Sequence, residues 1–172
     1  MWQQIPWIER KFSFDFPTGL YPEIIVRLAG TPARLREFTA ELPSRTLVKR
    51  QDDSWSIQEN VGHLLDLEDL FDGRLDDYQS GSDELRPADM SNRATEAAGH
   101  NDRPIEELLR EFRRRREAIV ERLEGLPPEA FGRSAFHARL SLQKRLVDTC
   151  YFFAEHDDHH IARIVDLIHE HA

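Results

Sequence analysis

Apolar residues recur at helical spacing in four segments of the chain, and this pattern predicts four amphipathic helices. The predicted helices cover about residues 22–42, 57–78, 104–123 and 142–170. Within the first, the tripeptide GTP at 30–32 combines a weak helix former with a proline, which predicts a kink or a second helix start. Four amphipathic helices favour an all-α fold, a helical bundle.

The second helix has the clearest predicted start. Ser56 and Glu59 have the spacing of a capping box, in which the serine side chain caps the helix and the glutamate reaches back to the serine backbone. After about residue 78 the helical pattern ends in a polar stretch, 79–102, which separates the two halves of the chain. A connection of this length predicts a long crossover with a short turn of helix, and not the short loops of the simplest bundle.

Before the first helix, Phe12, Phe14 and Phe16 alternate with polar residues at the spacing of a β-strand. No partner strand is evident, so this segment predicts a short extended arm whose rings pack on the body of the protein. We assign residues 1–20 to this N-terminal arm, within one domain that spans residues 1–172.

Composition and charge limit the functions that the chain can have. The formal net charge of −9 argues against nucleic-acid binding, and the acids that flank the RRRR run at 113–116 predict a solvated helix face. No apolar run has the roughly 18 residues of a membrane span, and the N-terminus lacks the pattern of a signal peptide. The single cysteine, Cys150, excludes an internal disulfide, which fits a cytoplasmic location.

The fourth predicted helix carries three histidines in the segment AEHDDHHIARI at 154–164. His156 and His160 are four residues apart, so they lie about 40° from each other, in or beside the apolar arc of the helix. His159 falls nearer to solvent. Two inward imidazoles one turn apart can bind one metal ion, although the spacing alone is weak evidence and an ordinary hydrogen-bonded pair is the alternative.

His63, on the second predicted helix, is the candidate for a third ligand. It lies within about 40° of Leu67 and Leu70, close to the apolar stripe of that helix. Facing helices of a bundle approach to about 8–10 Å, and metal sites are commonly built between them. His63 can therefore complete a three-histidine site with His156 and His160, and a hydrogen-bonded core histidine is the alternative.

The stretches that carry these histidines resemble the DinB/YfiT-like superfamily of metal-binding four-helix-bundle proteins, most closely its YfiT-like branch of metal-dependent hydrolases. The resemblance rests on WSIQENVGHLLDLEDLFDGRLDDY at 55–78 and YFFAEHDDHHIARI at 151–164, with GTPARL at 30–35 and FHARL at 136–140 in support. It spans roughly residues 11–168. In the last of these segments Ala138 stands where the family has proline.

The resemblance implies one divalent metal ion, Zn²⁺ or Ni²⁺, held by His63, His156 and His160 with water completing the coordination. It also implies a homodimer and a small-molecule substrate. Metal-activated water in a hydrolase is the leading function. The alternatives are transfer of a low-molecular-weight thiol, a non-catalytic stress-associated metal-binding protein, and a bundle whose histidines bind no metal.

Other polar residues near the histidines have less defined roles. Four carboxylates are candidates for a general base, and none is assigned: Glu59, Asp66, Glu155 and Asp157. His137 lies in the FHARL segment and is predicted to be a surface loop residue, with the metal pocket as the alternative. His100, His169 and His171 are predicted to be linker and tail residues, and Cys150 a small core residue.

Overall fold

A computed structural model describes residues 3–52 and 54–171 of the chain. The predicted arm and domain extend to residues 1, 2 and 172, which lie outside the described residues. The helices are α1 (Tyr21–Thr39), α2 (Ser44–Leu47), α3 (Ile57–Asp66), α4 (Glu68–Ser80), α5 (Arg93–Ala97), α6 (Ile105–Glu124) and α7 (Leu146–His171). The strands are β1 (Ser134–His137) and β2 (Leu142–Arg145).

Four helical units form a bundle, and this confirms the predicted all-α fold. The units are α1, the consecutive pair α3 and α4, α6, and α7. Both α1 and α3 pack against α6 and α7, so the apolar faces meet in the centre. The core has two clusters, one around Phe71 and Phe153 and the other around Ile57 and Phe112. Within the described residues no helix combines the length and apolarity that crossing a membrane requires.

The first helix is continuous, and the predicted restart at GTP is wrong. Pro32 lies inside α1 and is buried. A proline has no N–H, so it leaves the carbonyl of the residue four positions earlier, Leu28, without its helical partner. The guanidinium of Arg116 donates to that carbonyl at 3.3 Å, which satisfies it from another helix.

The capping box at the start of α3 is confirmed. The Ser56 side chain accepts from the Glu59 backbone N–H at 3.1 Å, and the Glu59 carboxylate accepts from the Ser56 N–H at 2.9 Å. The predicted single helix is two helices, because α3 ends at Asp66 and α4 begins at Glu68. The junction at Leu67 leaves the apolar stripe unbroken, which is why the sequence pattern does not reveal it.

The crossover between α4 and α6 contains a short helix, α5, as predicted. The segment between α6 and α7 differs from the prediction, because it is not a simple loop. β1 and β2 pair there as an antiparallel hairpin with Ser134 opposite Arg145. Since β2 occupies residues 142–145, α7 begins four residues later than predicted. Strands of four residues are too short for alternation to separate them from irregular chain.

The N-terminal arm packs on the bundle through its aromatic rings, as predicted. Phe12, Phe14 and Phe16 are each half-buried, and the residues between them are exposed. Phe12 contacts Phe152 with ring centroids 4.8 Å apart, and Phe16 contacts Tyr151 at 5.2 Å. The strand-like spacing therefore reflects an extended segment lying on α7.

A buried ion cluster with its hydrogen-bond partners ties all four helical units together. Arg116 is only 1% exposed, and its guanidinium donates to the carboxylates of Glu68 and Asp157. Thr31 donates to the same Asp157 carboxylate at 2.7 Å. The predicted solvated face of the RRRR run is therefore wrong at Arg116, which points into the core. Burial raises the pKa of the Glu68 carboxyl to about 7.

Candidate metal centre

The structure brings His63, His156 and His160 together between α3 and α7. One ring nitrogen from each residue lies within 4.8 Å of the other two, and the ring centroids are 4.5–5.3 Å apart. All three side chains are buried. Within residues 3–52 and 54–171 no carboxylate or thiol belongs to this group. As predicted from helical spacing, His156 and His160 on α7 point inward. As predicted from the packing of facing helices, His63 on α3 lies next to them.

Hydrogen bonds fix which nitrogen of His160 is free. The Asn60 amide nitrogen donates to the Ser56 carbonyl at 2.8 Å, so its amide oxygen faces His160. That oxygen lies 2.8 Å from His160 Nδ1. Because the oxygen accepts, Nδ1 carries the hydrogen and Nε2 keeps its lone pair. Asn60 is three residues before His63 on α3, so helical spacing alone could have suggested its role.

A second chain of hydrogen bonds fixes His63 in the same way. Its Nδ1 lies 3.0 Å from the Thr95 hydroxyl on α5. That hydroxyl donates its only hydrogen to the Asp66 carboxylate at 2.8 Å, so it accepts from His63. His63 therefore also presents an unprotonated Nε2. Such outer partners hold metal-binding imidazoles in one tautomer and orientation.

His100 extends this network, and its predicted linker role is wrong. The ring is 2% exposed, and its Nε2 lies 2.9 Å from the Asp66 carboxylate. It packs against the backbone of Gly62, where an added Cβ would come within 2.2 Å of the ring. The polar crossover thus contributes buried partners to the site through Thr95 and His100.

Burial keeps the three clustered imidazoles neutral. It lowers the pKa of His63 to about 4 and the pKa values of His156 and His160 well below the usual range. Neutral imidazoles have the lone pairs that a divalent metal needs, and they need not lose a proton first at neutral pH. The donor set is therefore ready for a metal ion.

Replacing Thr95 by valine tests the role of the hydroxyl. Valine keeps the shape but cannot accept from His63, so the ring loses the bond that sets its tautomer. We expect zinc affinity to fall about 10-fold, at the lower end of what loss of an outer partner costs. Competition with a chromophoric chelator measures this. Thr39→Val is the matched control, because among the described residues the Thr39 hydroxyl bonds only to carbonyls of α1. An equal loss of zinc affinity in that variant would contradict the assignment.

The four carboxylates considered as general bases are all held by other protein groups. Asp157 pairs with Arg116 in the buried cluster, and Glu155 pairs with Arg27. Glu59 caps α3, and Asp66 belongs to the network behind His63. None of the four lines the cavity beside the histidines. Although these carboxylates are close to the histidines in the sequence, they do not reach the cavity.

A cavity of about 410 Å³ lies beside the three histidines. Its apolar walls include Trp7, Trp55, Leu67 and Phe152. His137 also lines the cavity and is 5% exposed, so the prediction of a surface loop histidine is wrong. The cavity gives the cluster an approach for a small molecule.

His159 and Cys150 lie outside the histidine cluster. His159 is half-buried at the cavity wall, and its Nδ1 is 3.0 Å from the Gln4 side-chain amide. Cys150 is fully buried within the first core cluster, as predicted. Burial raises the pKa of its thiol to about 12, so it is protonated at neutral pH.

The chain belongs to the DinB superfamily, whose family model matches residues 27–164. That range includes all three clustered histidines, and it confirms the family expected from the sequence. The comparison with curated proteins found no significant match.

Two solved structures share the fold. YfiT from Bacillus subtilis, described as a probable metal-dependent hydrolase with an unusual four-helix bundle topology, superposes with a TM-score of 0.81. The two sequences are 20% identical, and the match covers 94% of this chain and 93% of that one. A mycothiol-dependent maleylpyruvate isomerase superposes with a TM-score of 0.67 at 9% identity, covering 86% of this chain and 60% of that one. At these identities the likeness shows the fold.

Proposed function

We propose that the protein binds one divalent metal ion through His63, His156 and His160 and hydrolyses a small molecule. The observation that carries this proposal is the convergence of three buried, neutral imidazoles at one cavity wall, with a nitrogen of each within 4.8 Å of the others. Three histidines are a known ligand set for catalytic zinc. Imidazole also suits nickel, so Zn²⁺ and Ni²⁺ are the proposed ions.

The protein groups around the cluster orient the ligands and leave room for a reactant. Asn60 and Thr95 accept from Nδ1–H of two rings, so that Nε2 of each ring keeps the lone pair that a metal ion needs. Since no carboxylate or thiol of the described residues joins the three rings, a further position is left for water or substrate. A divalent ion held by neutral ligands lowers the pKa of coordinated water towards about 7, which supplies a nucleophile for hydrolysis.

The apolar cavity walls support this function by excluding bulk water. Trp7 lies edge-on to His156, with ring centroids 4.8 Å apart, and Trp55 is 4.7 Å from His63. These indoles cover the cluster on two sides. The carboxylates near it in sequence are paired elsewhere, so we propose that a metal ion held by the three histidines would supply the activation of water and that no carboxylate base would be needed.

Metal-dependent turnover tests the hydrolase proposal. Protein purified without a histidine tag is stripped with a chelator, reloaded with zinc or nickel, and assayed against a panel of esters and amides. We expect hydrolysis that returns with the metal and is lost in His160→Ala. A panel without any metal-dependent hydrolysis, with the metal bound at one equivalent, would favour the non-catalytic metal-binding alternative.

Thiol transfer is the second candidate function. It is favoured by the shared fold with an isomerase whose description names mycothiol as a requirement. A divalent metal can also bind a thiol as its thiolate at neutral pH. Assays that pair low-molecular-weight thiols with electrophiles distinguish the two functions, because transfer consumes the thiol and hydrolysis does not.

A further inference from the structure

The cavity has a second chemical feature, a cluster of cations around Phe152 and Phe153 that form no ion pair with any acidic side chain of the described residues. The guanidinium carbons of Arg139 and Arg74 each lie 6.0 Å from one of these two rings. His137 lies 6.2 Å from Phe152, and all three polar side chains line the cavity. These residues come from α4, from the end of β1 and from the turn that follows β1, so the fold brings them to one place from distant parts of the chain.

Arg74 is buried without a carboxylate partner. It is 2% exposed, and its Nε and Nη2 donate to the Arg86 carbonyl at 3.2 Å. Among the described residues no acidic side chain forms an ion pair with it. Arg86 also lines the cavity, but its guanidinium is paired with Asp77. Burial lowers the pKa of Arg74 to about 10, so it stays charged at neutral pH.

Lys144 adds a second buried cation next to this wall. The side chain is 0% exposed, and within the described part of the chain its Nζ has no hydrogen-bond partner. The ammonium lies 4.0 Å from the Phe152 ring centroid, a cation–π contact. An unpaired buried ammonium is costly, and burial lowers the pKa of Lys144 to about 7. This cost is notable in a chain whose net charge is −9.

His137 presents a hydrogen-bond donor at the same place. Its Nδ1 accepts from the Leu140 backbone N–H at 3.4 Å, so in the neutral ring Nε2 carries the hydrogen. Burial and the nearby cations lower the pKa of His137 to about 4, which keeps the ring neutral. Asp89, the one carboxylate that the described residues place on the cavity wall, is exposed and accepts from the Ser91 N–H at 2.9 Å.

We propose that Arg74, Arg139 and His137 bind an anionic group of the substrate, a carboxylate or a phosphate. This end of the cavity offers donors and positive charge, and only an anion satisfies both. Phe152 and His156 are four residues apart on α7, which is about 6 Å along the helix axis. An anionic group held at Phe152 would thus place a neighbouring bond of a small molecule near the histidines. That orientation rests on the proposed metal function.

Binding of small aromatic probes tests the anion site. Benzoate, phenyl phosphate and uncharged benzamide are titrated calorimetrically into the full chain, with one equivalent of zinc and after chelation. Chelation removes binding of the anion to the metal, so the remaining preference reports the protein cations. We expect at least one of the two anions to bind about 10-fold tighter than benzamide after chelation, as charged hydrogen bonds imply. The tighter of the two identifies carboxylate or phosphate as the substrate group.

Substitutions at the two arginines locate the site. Arg139→Gln alters an exposed side chain, and we expect it to lower anion affinity about 5-fold without changing benzamide binding. Arg74→Lys keeps the positive charge but loses the paired N–H donors of the guanidinium, so we expect it to lower the anion affinity as well. Arg110→Gln is the matched control, because Arg110 is exposed on α6 and does not line the cavity.

Two results would overturn the anion site: both anions binding no more tightly than benzamide after chelation, or Arg110→Gln lowering anion affinity as much as Arg139→Gln. Zinc stoichiometry measured on the same samples separates this inference from the metal function. Failure to bind zinc with the anion preference intact would refute the metal centre alone. Zinc binding without the preference would refute the anion site alone.

Discussion

Replacing His156 by alanine is expected to lower the affinity for zinc by at least about 100-fold. Loss of an outer hydrogen-bond partner of a ligand already costs about 10–100-fold, and His156 is proposed as a direct ligand. Its ring lies 4.5 Å from that of His160 and 5.3 Å from that of His63, so its removal leaves only two histidines of the group of three found among the described residues. Competition with a chromophoric chelator measures the affinity, and circular dichroism checks that the bundle still forms.

His159→Ala is the control for this substitution. His159 stands on the same helix and the same cavity, but it is outside the group whose nitrogens converge. We expect its removal to change zinc affinity by less than about 3-fold, within the scatter of single-residue effects. Equal losses in the two variants, or equally poor binding by wild type and His156→Ala, would contradict the proposed ligand set.

Arg116→Met is expected to destabilise the fold by ~3–5 kcal/mol, the typical cost of removing one partner from a buried ion cluster. The substitution leaves the carboxylates of Glu68 and Asp157, which are 2% and 1% exposed, without their cation. It also leaves the Leu28 carbonyl without the donor that replaces the missing N–H of Pro32. Urea unfolding at pH 7 measures the free energy of unfolding.

The pH dependence of this loss supplies a further check. Burial raises the pKa of Glu68 to about 7 even with Arg116 present, and the pKa rises further once the cation is removed. A carboxyl whose pKa is higher in the folded protein than in the unfolded chain stabilises the fold when it is protonated. The free energy of unfolding therefore falls as the pH rises from the pKa of the unfolded chain to that of the folded protein. The loss of stability in Arg116→Met is therefore expected to be smaller at pH 5 than at pH 7.

Arg114→Met is the control, because Arg114 is an exposed neighbour of Arg116 on α6. Its free energy of unfolding is expected to stay within ~0.5 kcal/mol of wild type at both pH values.

Local sequence patterns predict much of this fold. The capping box at Ser56 depends on side chains three residues apart, and the apolar faces of the helices depend on spacing within one turn or two. The inward direction of His156 and His160 follows from the same periodicity. The structure places all three proposed ligands in one cluster, and metal binding by that cluster stays a prediction.

The parts that the sequence did not predict depend on contacts between distant segments. Periodicity shows which face of α6 is apolar, but it does not show that Arg116 meets Asp157, which lies 41 residues away in the chain. Thr95 and His100 belong to a polar crossover with no helical pattern, so nothing local links them to His63. The placement of His137 depends on the hairpin of β1 and β2, whose strands are four residues each.

The combination of site and cavity gives a consistent picture of the proposed function. The network behind His63 and the amide of Asn60 fix two rings, and the cations around Phe152 lie about one helical turn from His156 along α7. A substrate that reaches both the histidines and these cations would be small and anionic. A homodimer and a cytoplasmic location stay predictions.

The most direct measurement is a crystal structure of tag-free protein grown with zinc, with anomalous data collected at the zinc absorption edge. We predict one strong anomalous peak, about 2.0–2.1 Å from a nitrogen of each of His63, His156 and His160. A peak bound elsewhere, or no peak with the three rings turned away from a common centre, would contradict the metal centre.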